Sequence, residues 1–362
     1  MDKAKVSLNP NRVVLGMSGG IDSSVSLMLL KEAGYQVVAV SLIYDSWKCS
    51  KRPNACCSDK SLALAANIAK SFKVDHVLYD VKKLFNQEVI EYFSNELKNN
   101  RTPSPCIFCN PKVKFYSLMK YADEVEAKYI ATGHYARIDK KRIFSRNQFV
   151  LKKAVDKKKD QSYSLSFLTQ KQLSRVIFPL GKLTKDQTYE IAQKNQVFFE
   201  YKKIKQSQDF CFLGKNELIE FVKQQIKPVA GKIYDVKGNP IGKHDGLANY
   251  TLGQRKGIKL PGGPYFVIGK KLPDQLIVSK NKSDAFSKET ILKPYNLTLK
   301  VNGECFDVMV KTRSSEGLKK AKLVIEKNQL RLKFTKPVTV LTPGQVAVFY
   351  RGDVCLGGGV IN

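Results

Sequence analysis

The sequence predicts an α/β domain with a parallel sheet, followed by a small β-rich central domain and a C-terminal β-barrel. Up to about residue 200, buried apolar runs alternate with amphipathic helical segments, which is typical of a parallel sheet covered by helices on both faces. Near Ile226–Gly231 the helical periodicity stops, and short strands with Gly, Pro and Asn turns take over. From about Leu292, alternating apolar residues dominate. A chain of 362 residues can hold two or three domains, and we place them at residues 1–205, 206–290 and 291–362.

The first domain contains four apolar runs of strand length and four helical segments. In chain order, we expect a strand at Val13–Leu15, a helix at Val25–Glu32, a strand at Gln36–Ile43, a helix at Ser61–Phe72, a strand at Asp75–Asp80, helices at Leu84–Leu97 and Val113–Glu126, and a strand at Lys128–Thr132. Ligands of parallel sheets gather at the carboxyl ends of the strands. Residues Ser18–Ser24, the loop after Ile43, and Gly133-His134 are therefore predicted to share one edge of the sheet.

The composition narrows the class of partner and the compartment. The formal net charge is +30, which favours a polyanionic partner such as RNA, DNA or an anionic membrane surface, although lysine enrichment without function is an alternative for part of it. The longest apolar stretch, Val37–Ile43, is far shorter than the ~20 residues of a membrane-spanning helix. Residues Met1–Lys5 lack the apolar region of a signal peptide. Eight unevenly spaced cysteines do not suit a disulfide scaffold, so we expect a reducing cytoplasm.

A Gly-rich turn joins the first predicted strand to the first helix. Its sequence, Ser18-Gly19-Gly20-Ile21-Asp22-Ser23-Ser24, combines glycines that permit close backbone approach with three hydroxyl groups. A helix N-terminus behind such a turn is suited to bind phosphate. Asp22 would then hold Mg²⁺ or cap the helix. Gly-Lys-Ser and Gly-Lys-Thr are absent, so this is not a lysine-dependent phosphate loop; an ordinary strand-to-helix turn is the alternative.

The cysteines supply a second candidate site. Cys106-Ile107-Phe108-Cys109 lies between prolines, before a helix that we expect to begin near Pro111 or Lys112. A thiolate there would be stabilised by the helix dipole and by Arg101, Lys112 and Lys114, and Cys211 could supply a second thiol for sulfur relay or a disulfide. Half a zinc site is the alternative for the CxxC pair.

The other cysteines and the histidines give weaker indications of a functional site. Cys305 and Cys355 lie in strand patterns, where we expect them to be buried, and Cys56-Cys57 with Cys49 form a further cluster of structural or functional use. The three histidines, His76, His134 and His244, form no zinc motif, and no Gly-x-Ser-x-Gly elbow exists for a serine hydrolase. Lys157–Tyr163 mixes charged, amide and aromatic groups, which suits contact with RNA phosphates and bases, although basic segments are also common on solvated faces.

Many short blocks along the chain match one family in the same order. They are Gly16–Ser24, Cys56–Ser58, Arg101–Pro103, Cys109-Asn110, Lys114-Phe115, Thr132–Arg137, Lys159–Tyr163, Phe178–Gly181, Ser207–Phe212, Tyr250–Gly257, Gly344–Tyr350 and Gly357–Gly359. With these blocks, the chain resembles the tRNA-specific 2-thiouridylases nearly end to end. These are PP-loop enzymes, which split ATP into AMP and diphosphate.

The resemblance implies a complete reaction. The first domain would be a PP-loop nucleotide-binding catalytic domain, and the central domain would bind tRNA. ATP would adenylate O2 of the wobble uracil of a tRNA of the Lys, Glu or Gln type. Sulfur would arrive on Cys211 as a persulfide, Cys109 would be the nucleophile, and a Cys109–Cys211 disulfide would form. A sulfur-donor or relay protein would be a partner, and we expect a cytoplasmic monomer that uses Mg²⁺ and does not associate with a membrane.

The resemblance also implies binding residues. The positions matching ATP contacts are Gly16, Met17, Ser18, Gly19, Gly20, Ile21, Asp22, Ser23, Leu42 and Gly133. The positions matching tRNA contacts are His134, Lys159, Asp160, Gln161, Arg313, Ser314 and Gln345, with Ser104, Pro105 and Cys106 against the target base.

Three departures from the family pattern matter. Cys106 stands where many members have Asp, so Cys106, Cys109 and Cys211 could instead hold a [4Fe–4S] cluster with an open iron. Arg313-Ser314 replaces a common Arg-Tyr pair, Asn100 replaces a usual Gly, and Ser104 replaces a usual Asn. Two other hypotheses stay open: a different PP-loop ligase, against which the Cys109/Cys211 pair argues, and a noncatalytic RNA-binding protein, against which the intact Ser18–Ser24 turn argues.

Overall fold

The computed structural model describes residues 8–44, 58–143, 146–195, 229–299 and 303–362. The N-terminal part contains, in chain order, β1 (Asn9–Gly16), α1 (Ile21–Glu32), β2 (Gln36–Ile43), α2 (Asp59–Ser71), β3 (His76–Asp80), α3 (Lys82–Phe85), α4 (Glu91–Lys98), α5 (Pro105–Cys109), α6 (Phe115–Glu124), β4 (Ala127–Thr132), β5 (Ala136–Ile143), β6 (Arg146–Lys153), α7 (Gln170–Leu173), β7 (Val176–Ile177) and α8 (Lys185–Lys194). Turns of π-helix over Asn86–Ile90 and Asn110–Lys114 join α3 to α4 and α5 to α6. Within the described ranges, no helix is both long enough and apolar enough to cross a membrane.

The N-terminal sheet has five strands in the order β3-β2-β1-β4-β7, and every neighbouring pair is parallel. Successive residues of the central strand β1 point to opposite faces. Accordingly, Val14 belongs to one hydrophobic core, and Val13 and Leu15 belong to another. The predicted α/β domain, with its parallel sheet buried on both faces, is confirmed.

The central domain is a small sheet with its own core. Its strands are β8 (Gly231–Tyr234), β9 (Pro240–His244), β10 (Phe266–Lys271) and β11 (Gln275–Ser279), in the order β10-β11-β8-β9. Four fully buried side chains fill its core: Ile233, Val267, Leu276 and Val278. The change of pattern near residue 230 therefore marks a real change of architecture.

The C-terminal domain is a closed barrel of six antiparallel strands. These are β12 (Phe286–Leu297), β13 (Cys305–Lys311), β14 (Lys319–Glu326), β15 (Gln329–Thr339), β16 (Val346–Arg351) and β17 (Val354–Ile361). They follow the order β12-β15-β14-β13-β16-β17, and pairing of β12 with β17 closes the ring. The predicted barrel is confirmed. The proposed boundaries stay predictions: position 205 lies outside the described residues, and position 290 falls within β12.

A hairpin of the N-terminal part joins the barrel. Strands β5 and β6 pair with each other in antiparallel fashion, and β6 pairs with β17 through Lys152 and Val354. Asp353 accepts bonds of 3.0 Å from Arg137 and 2.9 Å from Lys152. The predicted alternation of strands and helices up to residue 200 is wrong here, because residues 136–153 extend a sheet formed almost entirely by the last part of the chain.

All three domains meet at the segment Asn100–Thr102. Arg101 lies at its centre: Nε donates to Glu96 Oε2, Nη1 to Asn362 Oδ1, and Nη2 to the Ile361 carbonyl, each over 3.0 Å. Glu96 belongs to α4, whereas Ile361 and Asn362 end the barrel. One guanidinium therefore ties the start of the cysteine loop to the C-terminus.

The neighbouring backbone of this segment makes two further interdomain bonds. The Thr102 amide donates to the Pro343 carbonyl over 2.8 Å. Lys270 of the central domain donates to the Asn100 carbonyl over 3.2 Å, and burial lowers the pKa of Lys270 to about 8. Asn100 has a φ of +55°. This left-handed conformation explains the departure from a usual Gly, since Asn is among the residues that tolerate it best.

Gly344 provides a test of this junction. Its φ is +88°, and a Cβ there would lie 2.7 Å from both Glu96 Oε2 and the Thr102 carbonyl oxygen. We expect Gly344→Ala to lower the free energy of unfolding by about 2–4 kcal/mol, because the backbone strain adds to a collision in a closely packed contact. Urea unfolding would measure the loss.

Gly352→Ala is the matched control. Gly352 also has a positive φ, +62°, in the same domain, but a Cβ there would have no atom within 4 Å beyond its immediate chain neighbours. It should lose only about 1–2 kcal/mol, from strain alone. Equal losses in the two variants would show that the contact with Glu96 and Thr102 is not tight.

Candidate functional site

The Gly-rich turn between β1 and α1 depends on backbone conformation. Gly19 has a φ of +71°, and a Cβ there would collide with the carbonyl oxygen of Ser61 at the start of α2. Gly20 is the N-cap of α1, which therefore begins without a side-chain cap. The turn thus runs close beneath α2 and leads into an uncapped helix start, which is where an anion is favoured.

The serines of this turn make internal hydrogen bonds. Ser23 Oγ donates to the Gly20 carbonyl over 2.8 Å, and Ser24 Oγ donates to the same oxygen over 3.0 Å. The Ser18 amide donates to Ser23 Oγ over 3.3 Å. The Ser23 and Ser24 hydroxyl groups therefore donate within the turn and stabilise it.

Gly133 brings the end of β4 against the first turn of α1. A Cβ at Gly133 would lie 2.8 Å from the carbonyl carbon of Asp22 and 2.9 Å from the amide of Ser23. No larger residue fits without moving the helix. The predicted convergence of Ser18–Ser24 and Gly133-His134 at one sheet edge is confirmed, whereas most of the loop after Ile43 lies outside the described residues.

Asp22 forms an ion pair with a residue that sequence reasoning missed. Lys185 Nζ, at the first position of α8, lies 2.5 Å from Asp22 Oδ1, and the Lys185 side chain is only 7% exposed. The Tyr135 hydroxyl lies 2.9 Å from the same Asp22 oxygen and from Thr188 Oγ1. Burial and the Asp22 charge raise the pKa of Tyr135 far above its ordinary value. Asp22 therefore anchors α1 to α8 and does not cap its own helix.

A cavity of about 360 Å³ opens at this sheet edge. Its lining consists of Gly16, Met17, Ser18, Asp22, Ser23, Val40, Leu42, Tyr44, Lys114, Thr132, Gly133, His134 and Gln161. Seven of these match the predicted ATP positions, and Gly19, Gly20 and Ile21 shape the turn beside them. The tRNA candidates His134 and Gln161 share the same cavity.

His134 is held in its neutral form. Its Nδ1 lies 2.8 Å from Thr132 Oγ1, and its ring lies 5.9 Å from that of Phe115 and 6.2 Å from that of Phe178. Burial, with a further contribution from the Lys114 charge, places the pKa of His134 well below its ordinary value. The imidazole is thus a hydrogen-bonding group at neutral pH and not a cation.

The cysteines lie inside a helix and not before one. Helix α5 begins at Pro105, so the expected start near Pro111 or Lys112 is wrong; Pro105 supplies the first-turn proline instead. Cys106 is exposed, whereas Cys109 is 7% exposed and packs in the core beneath the sheet. The more accessible thiol is therefore the one that replaces the family's Asp.

The charges near Cys106 also differ from the expectation. Lys112 pairs with Glu88 over 2.7 Å, and Arg101 pairs with Glu96 over 3.0 Å. Cys106 is open to solvent on one side but surrounded by protein on the others, and this burial raises the pKa of its thiol, while Lys114 opposes the rise. Of the three predicted cations, Lys114 alone acts on the thiol.

The other residues that were predicted to contact tRNA fall in two groups. Asp160 Oδ1 accepts from the Ala154 amide over 3.0 Å, and Gln161 Oε1 accepts from the Tyr135 amide over 2.9 Å, so both side chains build the loop that follows the hairpin. In the barrel, Arg313 Nε donates to Gln345 Oε1 over 2.8 Å, and Ser314 is exposed beside it. The structure therefore brings Arg313 and Gln345 together, at a distance in sequence that no local pattern could predict.

Three cysteine predictions have different outcomes. Cys355 is fully buried, as expected, but Cys305 at the start of β13 is exposed, so the prediction of a buried Cys305 is wrong. Cys211, Cys49 and Cys56-Cys57 lie outside the described residues. Within the described ranges, no group of three or more His, Cys, Asp or Glu side chains is placed to hold a metal ion.

Comparison with known families covers almost the whole chain. Residues 11–215 match the model of the tRNA methyl transferase HUP domain, residues 219–280 match its PRC-barrel domain, and residues 287–361 match the aminomethyltransferase beta-barrel domain. Curated relatives are named tRNA-specific 2-thiouridylase MnmA 1 in Caldanaerobacter subterraneus and in Geobacillus kaustophilus. The first is 37% identical over 97% of this chain and 98% of its own, and the second is 37% identical over 98% and 96%. The chain belongs to the tRNA-specific 2-thiouridylase family. A Treponema denticola member is 36% identical over 97% of this chain and 98% of its own length.

For this thiouridylase family member, the Asp22–Lys185 pair can be tested by a double-mutant cycle. We expect Asp22→Asn and Lys185→Met to be coupled by about 1–3 kcal/mol in the free energy of unfolding, since the ammonium is buried and hydrogen-bonded to the carboxylate. Urea unfolding of both single variants and of the double variant would measure the coupling.

The Asp80–Lys82 pair is the matched control. Its side chains are 65% and 51% exposed, and its charged atoms lie 3.8 Å apart. Coupling there should be about 0–1 kcal/mol. If Asp22 and Lys185 gave the same small value, the pair would not anchor α1 to α8.

Proposed function

We propose that this protein catalyses ATP-dependent 2-thiolation of the wobble uridine of tRNA. The observation that carries the proposal is one cavity whose lining includes both the turn suited to bind phosphate and a lysine that acts on a cysteine thiol. Ser18, Asp22 and Ser23 of the turn line it together with Lys114, whose charge acts on Cys106. Membership of the thiouridylase family supports the same reaction.

The turn and its neighbours bind ATP in this proposal. Backbone amides at the start of α1 contact the phosphates, and Leu42 and Gly133 lie along the nucleotide. Mg²⁺ fits the site, because Mg²⁺ prefers one or two carboxylates with phosphate oxygens and water, and Asp22 supplies the carboxylate of the cavity. One oxygen of Asp22 pairs with Lys185. The Asp22 carboxylate would also hold the ion, which would neutralise phosphate charge.

The reaction has three chemical steps. In the first step, O2 of the uracil attacks the α-phosphorus of ATP, the bond to the bridging oxygen breaks, and diphosphate leaves. In the second, the terminal sulfur of a Cys211 persulfide attacks C2, and the C2–O2 bond breaks to release AMP. Cys109 then attacks the Cys211 sulfur, which breaks the S–S bond, leaves sulfur on C2, and forms a Cys109–Cys211 disulfide. An external thiol reduces this disulfide, and a donor or relay protein restores the persulfide.

The substrate is a tRNA of the Lys, Glu or Gln type. Its target base lies against Ser104, Pro105 and Cys106. Its backbone and neighbouring bases contact His134 and Gln161 at the cavity, the preceding residues Lys159 and Asp160, and Arg313, Ser314 and Gln345 on the barrel. We place the protein in the cytoplasm as a monomer.

Formation of 2-thiouridine on tRNA tests the function. Anaerobically purified protein, with ATP and a persulfide donor, should produce thiolated nucleoside and AMP in a ratio of about one to one, because one adenylation activates one base. Iron chelation should leave the yield unchanged. ATP consumption without thiolated tRNA would contradict the proposal.

Cys106 separates the persulfide route from the alternative of a [4Fe–4S] cluster on Cys106, Cys109 and Cys211. The described residues contain two of these three thiols, so the ligand set stays a prediction. We expect Cys106→Asp, which restores the residue common in the family, to keep activity within about threefold, because a relay between Cys109 and Cys211 needs no third thiol. Cys305→Ser, at an exposed cysteine of the barrel, is the control. Loss of both iron and activity in Cys106→Asp alone would establish the cluster instead.

A further inference from the structure

The cavity contains a single cation among its described lining residues. A triphosphate carries several negative charges, and the lysine of the common phosphate loop is absent from this chain. Lys185 forms an ion pair with Asp22, and His134 is neutral. Lys114 is the remaining positive group of the lining.

Lys114 also differs from its neighbour Lys112 in its partners. Lys112 is exposed and pairs with Glu88 over 2.7 Å. Lys114 is half-buried, and within the described part of the chain no carboxylate lies within ion-pair distance of its ammonium group. A half-buried cation without a protein counter-ion is suited to an anionic ligand.

A π turn places Lys114 toward the cavity. The Phe115 amide donates to the Asn110 carbonyl, five residues back, so the turn over Asn110–Lys114 holds one residue more than an α-helical turn. Pro111 favours this widening, because its ring cannot donate a hydrogen bond and clashes with an α-helical carbonyl before it. Lys114, the last residue of this turn, therefore faces a direction that an unbroken α-helix from Cys106 would not give it.

Other side chains stabilise this turn. Gln172 Nε2 donates to the Pro111 carbonyl over 2.7 Å. Asn110 Nδ2 donates to the Ser164 carbonyl over 2.8 Å, and both amide side chains are at least nine-tenths buried. The unusual backbone is thus specified by the sequence, and turns of this kind occur frequently at functional sites.

We infer that the Lys114 ammonium is a catalytic group that binds a non-bridging oxygen of the α-phosphate. Lys114 shares the cavity lining with Ser18 and Ser23 of the turn, and its charge acts on Cys106. In the proposed function, on which this inference rests, the phosphorus meets the uracil at this position. Lys114 would stabilise the negative charge that develops on phosphorus oxygens while diphosphate leaves, and again while AMP leaves C2. Its effect on both His134 and Cys106 is consistent with this central position.

Lys114→Gln tests the inference, with Lys112→Gln as the matched control two residues away. We expect tRNA-dependent AMP formation by Lys114→Gln to fall by about 10²–10³-fold, because it loses a charge directed at the transition state. Dissociation constants for ATP and tRNA, measured separately, should stay within about threefold, since the turn and the RNA surface supply most ground-state contacts. Lys112→Gln should stay within about twofold in all three, as expected for an exposed pair.

Lys114→Arg completes the series. It keeps the charge, and we expect it to recover at least about tenfold of the lost rate, since the electrostatic part of the interaction remains. Thermal unfolding of each variant checks the fold, and Lys114→Met, which also removes the charge, replaces Lys114→Gln if the Gln variant is unstable. Unchanged AMP formation in Lys114→Gln, or a loss explained entirely by tRNA affinity, would overturn the inference. Failure of the unmodified protein to form AMP and thiolated tRNA would instead refute the proposed function.

Discussion

The contact between Gly133 and the first turn of α1 is the constraint on which the site depends. It brings the end of β4 within van der Waals distance of the Asp22 and Ser23 backbone, and every nearby feature follows from that distance. His134 and Tyr135, the next two residues, are thereby placed at the cavity and beside Asp22. Asp22 in turn forms an ion pair with Lys185. The close packing at Gly133 and this ion pair therefore hold α1, β4 and α8 together.

Local patterns predicted the N-terminal sheet well, because its signals are short-range. Buried runs such as Gln36–Ile43, and the Gly19-Gly20 turn, can be recognised from a few consecutive residues. The position of the hairpin of residues 136–153 could not be predicted in this way, because the hairpin joins the barrel sheet by pairing with β17, some two hundred residues away. The Asp22–Lys185 pair was missed for the same reason: a capping box at Thr184 predicts a helix start, but nothing there indicates its partner.

At the cysteines, the local pattern indicated the correct residues but not the helix start or the charges around them. The prolines indicated a helix start, and Pro105 proved to be the one that begins it. Three basic residues looked equivalent in sequence, yet Glu88 and Glu96 neutralise two of them. Which cation stays available depends on acidic residues of α4 and of the turn before it. It also depends on a π turn that hydrogen bonds with Ser164 and Gln172, both distant in sequence, stabilise.

The hairpin that joins the barrel has a consequence for how the molecule handles its substrate. Backbone hydrogen bonding continues from β5 through β6 into β17, and Asp353 adds ion pairs at the same seam. The barrel cannot swing away from the cavity without breaking main-chain bonds, so the spacing between the two is set by the fold and not by an adjustable interface. A ligand that contacts both the cavity and the barrel must therefore span a distance that the pairing of β6 with β17 fixes.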